Sequence, residues 1–282
     1  RLKQWKGPAQ AGPFCFFESM NSILITGAGS GIGAAVAHRL SQRKGIRVLL
    51  VGRRLEALEQ VRATMQRPDA HVVLSVDVSD AQALVAALES EKAGLDKHPL
   101  TGVFANAGIG GGNQWGADDR WEDIIRVNLT GTYNTLMVSR PFLDHSKGVK
   151  QVLVTSSVLA RFGVPGQSAY VTSKTGLLGL VRSLAVEWSP QGIMVNALCP
   201  GWVDTDMARN SIQAMADAQG MSFEACKAQQ EAILPSLRMT TPAEMAQWVD
   251  FVFSGLGEGE DVARLATFTG QALDVNSGSW MG

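Results

Sequence analysis

A phenol, an ammonium and a hydroxyl lie within one short stretch of the chain. Tyr170 and Lys174 are four residues apart at the start of a predicted helix, so their side chains share one face. A free phenol holds its proton to a pKa of about 10, and a nearby positive charge favours the phenolate. The pair is therefore predicted to exchange a proton near neutral pH, while Ser157 steadies a substrate oxygen. The alternative is an ordinary exposed helix pair.

Two predicted elements position these three groups. The apolar run 152–154 predicts a strand that ends at Thr155, Ser156 and Ser157, and a Gly/Pro-rich connection follows at 163–166. Beyond Tyr170, apolar residues recur at helical spacing and would bury one helix face. These residues are Leu177, Leu180, Val181, Leu184 and Trp188.

A strand, a Gly-rich turn and a helix come much earlier, at 22–26, 27–33 and 34–42. The turn follows the pattern T-G-x-x-x-G-x-G, carried by Thr26, Gly27, Gly31 and Gly33. Glycines permit a tight turn and let a phosphate approach the backbone N–H groups at a helix start. Because the turn lies between strand and helix, it predicts a dinucleotide site rather than a merely flexible loop.

The end of the second strand, 47–51, bears on the choice of cofactor. An enzyme that grips the ribose hydroxyls of NAD would carry Asp or Glu there, about 20 residues past the glycines. This chain has Gly52, followed by Arg53 and Arg54. No carboxylate repels a 2′-phosphate and a guanidinium is available to bind one, so NADP(H) is favoured over NAD(H). The alternative is that the arginines are solvated loop charges.

The remaining chain continues the alternation of strands and helices. Strands are predicted at 71–76, 102–105, 194–197 and 267–275, helices at 80–91, 118–144 and 242–254, and irregular structure at 202–241. This alternation predicts a parallel sheet covered on both faces, which is a Rossmann-like, doubly wound α/β fold in a single domain. Asp77 ends the third strand, at the rim where ligands bind such sheets. Asn128 lies mid-helix between apolar residues, so its amide requires a hydrogen-bond partner. The alternative to a functional role is an ordinary asparagine whose hydrogen bonds are satisfied within the core.

Composition narrows the class of protein. The chain has 282 residues, 45% of them hydrophobic and 18% charged, with a formal net charge of −1. No basic block or apolar run of roughly 20 residues occurs, so neither nucleic acid nor membrane is an expected partner. The cysteines, Cys15, Cys199 and Cys226, have no metal-like spacing and are expected to be reduced thiols in a cytoplasmic protein. The histidines are scattered, so no metal site is expected.

Residues 1–19 differ from the rest and lack a sustained period. They are expected to be a loose or non-native extension, with Met20 as the natural start and 20–282 as the NAD(P)-binding domain. Deleting 1–19 should leave activity intact, and loss of folding on deletion would contradict this.

Together these motifs resemble the short-chain dehydrogenase/reductase family in its single-domain form, from about residue 22 to the C-terminus. The resemblance rests on the Gly loop, Asp77, Asn106-Ala107-Gly108, Asn128, Ser157, Tyr170 with Lys174, and Pro200-Gly201 with Thr205. The order of these motifs is specific, and 13 residues separate Ser157 from Tyr170, which is the family's usual spacing. Ala105 stands where the family often has Asn.

The resemblance implies roles for four residues. Tyr170 would be the acid/base, and Lys174 would lower its pKa and hold the nicotinamide ribose. Ser157, rather than Ser156, would orient the substrate carbonyl. Asn128 would hold a water that links Lys174 to solvent.

The resemblance also implies the cofactor contacts, with Asp77 and Val78 at the adenine and Thr205 at the carboxamide. The full expected set is Gly27, Ser30, Gly31, Ile32, Gly33, Arg53, Arg54, Asp77, Val78, Asn106, Ala107, Gly108, Tyr170, Lys174, Pro200, Gly201, Val203 and Thr205.

The expected function is an NADP-dependent oxidoreductase that interconverts a ketone and a secondary alcohol, with a 3-oxoacyl-type substrate such as an acyl thioester or a small carbonyl compound. Alternatives are an NAD-dependent hydroxy-acid or alcohol dehydrogenase similar to 3-hydroxybutyrate dehydrogenases, and a non-catalytic nucleotide sensor. The Met-rich segment 202–238 is expected to be a substrate loop, although core packing would explain its methionines equally. The resemblance implies a homotetramer or homodimer through the helices that carry Asn128 and Tyr170.

Overall fold

One sheet of seven parallel strands forms the centre of the molecule, in the order β3-β2-β1-β4-β5-β6-β7. This computed structural model describes residues 20–143, 148–254, 256 and 267–282, so the predicted extension at 1–19 lies outside the described residues. The strands are β1 (Asn21–Thr26), β2 (Ile46–Gly52), β3 (Val72–Ser75), β4 (Leu100–Ala105), β5 (Lys150–Thr155), β6 (Ile193–Pro200) and β7 (Ala272–Val275). The strand order reverses between β1 and β4, and the Rossmann-like doubly wound α/β fold is confirmed.

Helices cover both faces of the sheet. They are α1 (Gly31–Ser41), α2 (Leu55–Thr64), α3 (Ala81–Ser90), α4 (Lys92–Lys97), α5 (Trp121–Ile125), α6 (Gly131–Ser139), α7 (Ser168–Trp188), α8 (Asp206–Gln219), α9 (Phe223–Ala232) and α10 (Pro242–Phe253). One buried apolar cluster joins the sheet to α1, α2 and α10, and a second joins it to α3, α6 and α7. Since both faces are covered, the inner strands β1, β2, β4, β5 and β6 are buried along nearly their whole length rather than at alternate residues.

The predicted helix at 118–144 is wrong in its continuity and its start. The helix begins at Trp121, passes through a π-helical turn at Arg126–Thr130 and ends as α6 at Ser139, with a 3₁₀ turn at Arg140–Phe142. The predicted end at residue 144 lies outside the described residues. The π-helical turn contains Asn128, so the break in regular α-helix falls where a polar side chain enters the core.

The prediction that 202–241 is irregular is also wrong, because α8 and α9 occupy most of it. Their apolar face is built from small residues, and in α8 the buried positions Ala208, Ile212 and Ala216 repeat every four residues. Thr205 and Ser222 cap the two helices through their side chains, which stabilises each helix start.

Two other boundaries differ from the prediction. The first helix begins at Gly31 instead of residue 34, because the last glycines of the loop already belong to its first turn. The last strand begins at Ala272 instead of residue 267, since Thr269 and Gln271 hydrogen-bond to β6 from outside the strand.

Among the residues that the structure describes, no helix has the length and apolarity to cross a membrane. Within the same ranges, His, Cys, Asp and Glu side chains nowhere gather in groups of three or more that would hold a metal ion.

A buried histidine gives the fold a pH dependence. The Nδ1 of His71 accepts a hydrogen bond from Val48 N–H at 3.1 Å, and its Nε2 lies 2.9 Å from the Gln66 carbonyl oxygen, so the ring is held neutral. Burial lowers the pKa of His71 below 6.5, aided by neighbouring arginines and opposed by the bond to Gln66.

Because the unfolded chain binds this proton and the folded chain does not, the free energy of unfolding should fall as pH drops below about 6.5. Urea unfolding between about pH 7.5 and 5 should therefore show a larger loss of stability in the wild type than in His71→Asn. Equal losses in the two proteins would show that His71 does not carry the effect.

Candidate active site

The site residues meet at the carboxyl ends of the strands. The Gly loop follows β1, Asn106 follows β4, Ser157 follows β5 and Pro200 ends β6. Parallel strands bring their carboxyl ends to one edge of the sheet, and ligands bind there where the strand order reverses. The fold therefore gathers residues from separate parts of the chain beside the β1–β4 boundary.

The Gly loop needs its glycines for close approach. Gly27 and Gly31 have φ values of 67° and 53°, a conformation that side chains disfavour. A Cβ on Gly33 would lie 2.2 Å from the carbonyl oxygen of Gly27. Ser30 precedes α1 with extended backbone and makes no capping bond, and the first turn of α1, which includes Ile32, has no acidic residue. The N–H groups of that turn are therefore suited to an anion such as a phosphate.

A groove runs from this loop across the ends of β2, β3 and β4. It is lined by Gly27, Gly29, Ser30, Gly52, Arg53, Arg54, Ala57, Leu58, Val76, Asp77, Val78, Ala107, Gly108, Ile109 and Val127. Both arginines are exposed, and Arg53 Nη1 lies 3.8 Å from Asp77 Oδ2. Positive charge thus stands at the β2 end of the groove.

Asp77 is ionised and held by its own turn. Its Oδ1 accepts hydrogen bonds from the Ser79 N–H at 2.9 Å and the Ser79 hydroxyl at 2.8 Å. Burial raises the pKa of Asp77, but the bonds from Ser79 and the charges of Arg53 and Arg126 outweigh it, and the net pKa is lowered. Val78 beside it is buried, and a Cβ on Gly131 would lie 2.7 Å from the Val78 side chain.

Asn106 joins three strands. Its backbone N–H and that of Ala107 donate to the Thr26 hydroxyl, each at 3.0 Å, and its Nδ2 donates to the Thr26 carbonyl at 3.2 Å. Its Oδ1 accepts from the Thr155 hydroxyl at 3.0 Å. The amide therefore ties the ends of β1, β4 and β5, while the neighbouring Ala107 and Gly108 line the groove.

Ser157, Tyr170 and Lys174 come together, as the sequence predicted for a reactive set. The Ser157 hydroxyl lies near enough to the Tyr170 phenol to lower its pKa. Lys174 is buried, its Nζ donates to the Thr155 carbonyl at 2.8 Å, and it lies 5.7 Å from the centre of the Tyr170 ring. Ser156 points elsewhere, because its hydroxyl donates to the Lys174 carbonyl at 2.7 Å. A Cβ on Gly108 would lie 3.5 Å from Lys174 Nζ, so the reactive set adjoins the groove.

The proton affinities of this set follow from burial. Desolvation raises the pKa of Tyr170, and the Ser157 hydroxyl offsets part of that rise. Burial lowers the pKa of Lys174 to about 8, with an opposing contribution from Cys199. The phenol therefore carries its proton at neutral pH, which suits a general acid. That Lys174 lowers the pKa of Tyr170 stays a prediction.

Asn128 is a fully partnered core amide. Its Oδ1 accepts from Ile109 N–H at 2.8 Å, and its Nδ2 donates to the Ile109 carbonyl at 3.0 Å and to the Ser173 hydroxyl at 3.2 Å. Its own carbonyl accepts from the Thr132 hydroxyl at 2.7 Å. The side chain thus joins the segment after β4 to α7. Its predicted part in proton transfer to Lys174 stays a prediction.

The segment after β6 closes the other side of the Gly loop. A Cβ on Gly201 would lie 2.7 Å from the Asn276 carbonyl oxygen, and the buried Val203 forms a bridge with Thr240. The Thr205 hydroxyl caps α8, accepting from Ala208 N–H at 3.4 Å. A Cβ on Gly31 would lie 3.2 Å from the Thr205 methyl group. This contact brings the start of α8 against the Gly loop.

Several residues that hold the site were given no role by the sequence. Thr155 and Thr26 carry the strand-end hydrogen bonds, and both stood at strand ends next to predicted site residues. Ser79, two positions after Asp77, fits the local turn that Asp side chains favour. Ile109 offered no signal, because it acts through its backbone.

The arrangement contains the groups that reduction of a carbonyl, or oxidation of an alcohol, requires around the substrate oxygen. A proton-bearing phenol and a hydroxyl converge where a substrate oxygen would bind, and a lysine links them to a groove with an anion-binding loop. The hydroxyl would stabilise developing negative charge and the phenol would supply the proton.

Comparisons with known proteins agree with this chemistry. The family model described as short chain dehydrogenase matches residues 21–216. A 3-oxoacyl-[acyl-carrier-protein] reductase of Aggregatibacter actinomycetemcomitans is 33% identical over 265 residues, covering 91% of this chain and 98% of that protein. The structure of an actinorhodin polyketide ketoreductase variant with NADPH is similar at a TM-score of 0.80 and 29% identity, covering 93% of this chain and 97% of that one. Levodione reductase is similar at a TM-score of 0.80 and 28% identity, covering 92% and 98%.

The family match covers more than half of the chain, and the fold and the residue set agree with it. The chain therefore belongs to the short-chain dehydrogenase family, and it is an NAD(P)-dependent oxidoreductase.

Proposed function

We propose that this protein reduces a ketone to a secondary alcohol with NADPH, and that its substrate is a 3-oxoacyl compound, such as an acyl thioester, or a similar small carbonyl. The observation that carries the proposal is the convergence of Ser157, Tyr170 and the buried Lys174 beside the groove. The printed names of the relatives support the class of substrate, since they include a 3-oxoacyl-[acyl-carrier-protein] reductase and a polyketide ketoreductase.

The nicotinamide cofactor supplies the hydride when it is bound. The residues that would hold it are the Gly loop, the groove lining with Arg53 and Arg54, Asp77 and Val78, and the segment from Pro200 to Thr205. These residues fit a nicotinamide dinucleotide, because the loop leaves backbone N–H groups for the phosphates and its glycines leave room for the phosphates to approach the backbone. Lys174 adjoins Gly108 in that groove, within reach of a ribose bound there.

The chain's own residues handle the oxygen and the proton. Ser157 donates a hydrogen bond to the substrate carbonyl and orients it against Tyr170. Tyr170 gives its proton to that oxygen as negative charge develops, and its raised pKa keeps the proton available at neutral pH. Asn128 and Lys174 are proposed to pass a replacement proton to Tyr170 through water.

The direct test is NADPH oxidation with a panel of ketones that includes 3-oxoacyl thioesters. Tyr170→Phe removes the proton donor and should lower kcat by about 100- to 10,000-fold, with NADPH affinity retained. Ser157→Ala should lower kcat by about 100-fold or more, because one donor to the developing oxyanion is lost.

Ser156→Ala is the matched control for Ser157→Ala, since Ser156 bonds the helix backbone. It should cost about 1 kcal/mol of unfolding free energy and change kcat by less than about tenfold. Equal loss of kcat in the two serine variants would contradict the assignment. Turnover of 3-hydroxybutyrate with NAD and of no ketone with NADPH would favour the hydroxy-acid dehydrogenase, and NADPH binding without turnover would favour a sensor.

The preference for NADPH is tested at Arg53, whose side chain is 62% exposed and free to meet a 2′-phosphate at the end of β2. Arg53→Ala should raise KM for NADPH by about tenfold or more and leave KM for NADH nearly unchanged, because only NADPH carries that phosphate. Arg54→Ala tests the second guanidinium in the same way.

The control for these variants is Arg62→Ala, an arginine of α2 that pairs with Glu59 and does not line the groove. It should alter neither KM. An Arg53→Ala variant whose KM values for the two cofactors rise equally would contradict the NADPH preference.

Assembly and location complete the proposal. We place the protein in the cytoplasm as a homotetramer or homodimer, supported by the free, buried thiols of Cys199 and Cys226 and by exposed apolar side chains on α6 and α7. Tyr133 is 49% and Val186 81% exposed, and a second copy would cover them. Light scattering of the full chain should give the mass of a dimer or tetramer, and a monomer mass would contradict this.

A further inference from the structure

The start of α7 is capped by a residue from a distant loop. Asn113 lies in the segment between β4 and α5, and its Oδ1 accepts hydrogen bonds from the Ala169 N–H at 2.8 Å and the Ser168 hydroxyl at 3.1 Å. The first N–H groups of a helix have no partner within the helix, and Gln167, at the N-cap position, makes no side-chain bond. Asn113 therefore does the work of an N-cap from 56 residues away.

The other donors of Asn113 fix it in place. Its backbone N–H donates to the Gly166 carbonyl at 2.9 Å, and its Nδ2 donates to Asp119 Oδ1 at 3.2 Å. The same Asp119 oxygen accepts from Trp121 N–H at 3.0 Å, at the start of α5. A Cβ on Gly112 would lie 2.9 Å from the Gly166 carbonyl oxygen, so a glycine permits the two segments to cross this closely. Asn113 is thus held by the segment before α5, the connection before α7 and the first turn of α7.

The capped turn is the one that carries the phenol. Ala169 directly precedes Tyr170 and is fully buried. The next turn is held separately, because Lys174 bonds the end of β5 and Ser173 bonds Asn128. In the first turn, the backbone N–H of Ala169 is instead held from outside the helix by Asn113.

We propose that Asn113 is a positioning residue for Tyr170: by capping α7 it holds the first turn so that the phenol meets Ser157. The kinetic part of this proposal rests on the proposed function, whereas the geometric part does not. The loop 110–116 and the reactive phenol are then mechanically joined, so that a ligand that moves the loop also moves the phenol.

Asn113→Ala removes the cap. A small displacement of a reacting group lowers the rate of the chemical step more than it weakens binding, so kcat for ketone reduction should fall about tenfold while KM for NADPH changes less than about twofold. The matched variant exchanges the pair, Asn113→Asp with Asp119→Asn. It keeps an acceptor for Ala169, a donor between the two positions and the net charge, and kcat should return to within about threefold of the wild type.

A second measurement reads the position of Tyr170 without turnover. The chain has two tyrosines, and Tyr133→Phe leaves Tyr170 alone to be followed by phenolate absorbance during an alkaline titration. Burial raises the pKa of Tyr170 in the capped structure. In the same background, Asn113→Ala should loosen the turn and admit water, which lowers the pKa, and weaken the contact with Ser157, which raises it. Because burial is the larger cause, the titration midpoint should move to lower pH, and the exchanged pair should restore it.

The two measurements separate the possible results. A midpoint that shifts in Asn113→Ala and returns in the exchanged pair supports the proposal, even if the wild type reduces no ketone and the proposed function fails. A lowered Tm with unchanged midpoint and unchanged kcat would show that the cap only stabilises α7, and would overturn it. An exchanged pair that folds but regains neither the midpoint nor kcat would overturn it as well.

Discussion

The hydrogen bonds that Asn106 makes are the constraint on which the rest of the site depends. Through them the ends of β1, β4 and β5 are fixed relative to one another, with Thr26 on one side and Thr155 on the other. Thr155 in turn accepts from Lys174, so one continuous set of bonds runs from the Gly loop to the reactive helix. Bonds of this kind are stronger when they are shielded from water, and the loss of one partner leaves the others unsatisfied. The nucleotide groove and the proton donor therefore share one support.

The same set of hydrogen bonds includes the buried ammonium group of Lys174. Burial lowers the pKa of Lys174 from 10.5 to about 8, and this shift corresponds to a cost of about 3 kcal/mol against folding at neutral pH. A single accepting carbonyl, that of Thr155, recovers only part of the lost hydration. The large apolar clusters on both faces of the sheet offset the remainder. Burial of Lys174 therefore lowers the free energy of unfolding but holds the ammonium group at a fixed place beside the groove.

The sequence was sufficient to predict those features that depend on residues close together along the chain. Buried parallel strands are continuous apolar runs, the glycines of the loop stand in a row, and α7 shows helical spacing over its whole length, so the fold class and the groups that converge at the site were predictable. The π-helical turn was not, because its cause is the set of contacts that Asn128 makes with Ile109 and Ser173. Helix α8 was missed since alanines form much of its buried face. Asn113 could not be found, because the helix it caps lies far along the chain.

The order of the strands also determines how the molecule can assemble during translation. Strand β1 lies inside the sheet, where it pairs with β2 and with β4, and Ser22 meets Leu100. Both neighbours of β1 have therefore been synthesised once β4 is complete. The edge strand β7, by contrast, joins β6 only when Ala272 pairs with Ala197, which precedes it by 75 residues. Contacts of such sequence separation form slowly, and chains fold from the N-terminal side as they leave the ribosome. A nascent chain that stops short of β7 therefore exposes the side of β6 to other strands until β7 has been synthesised.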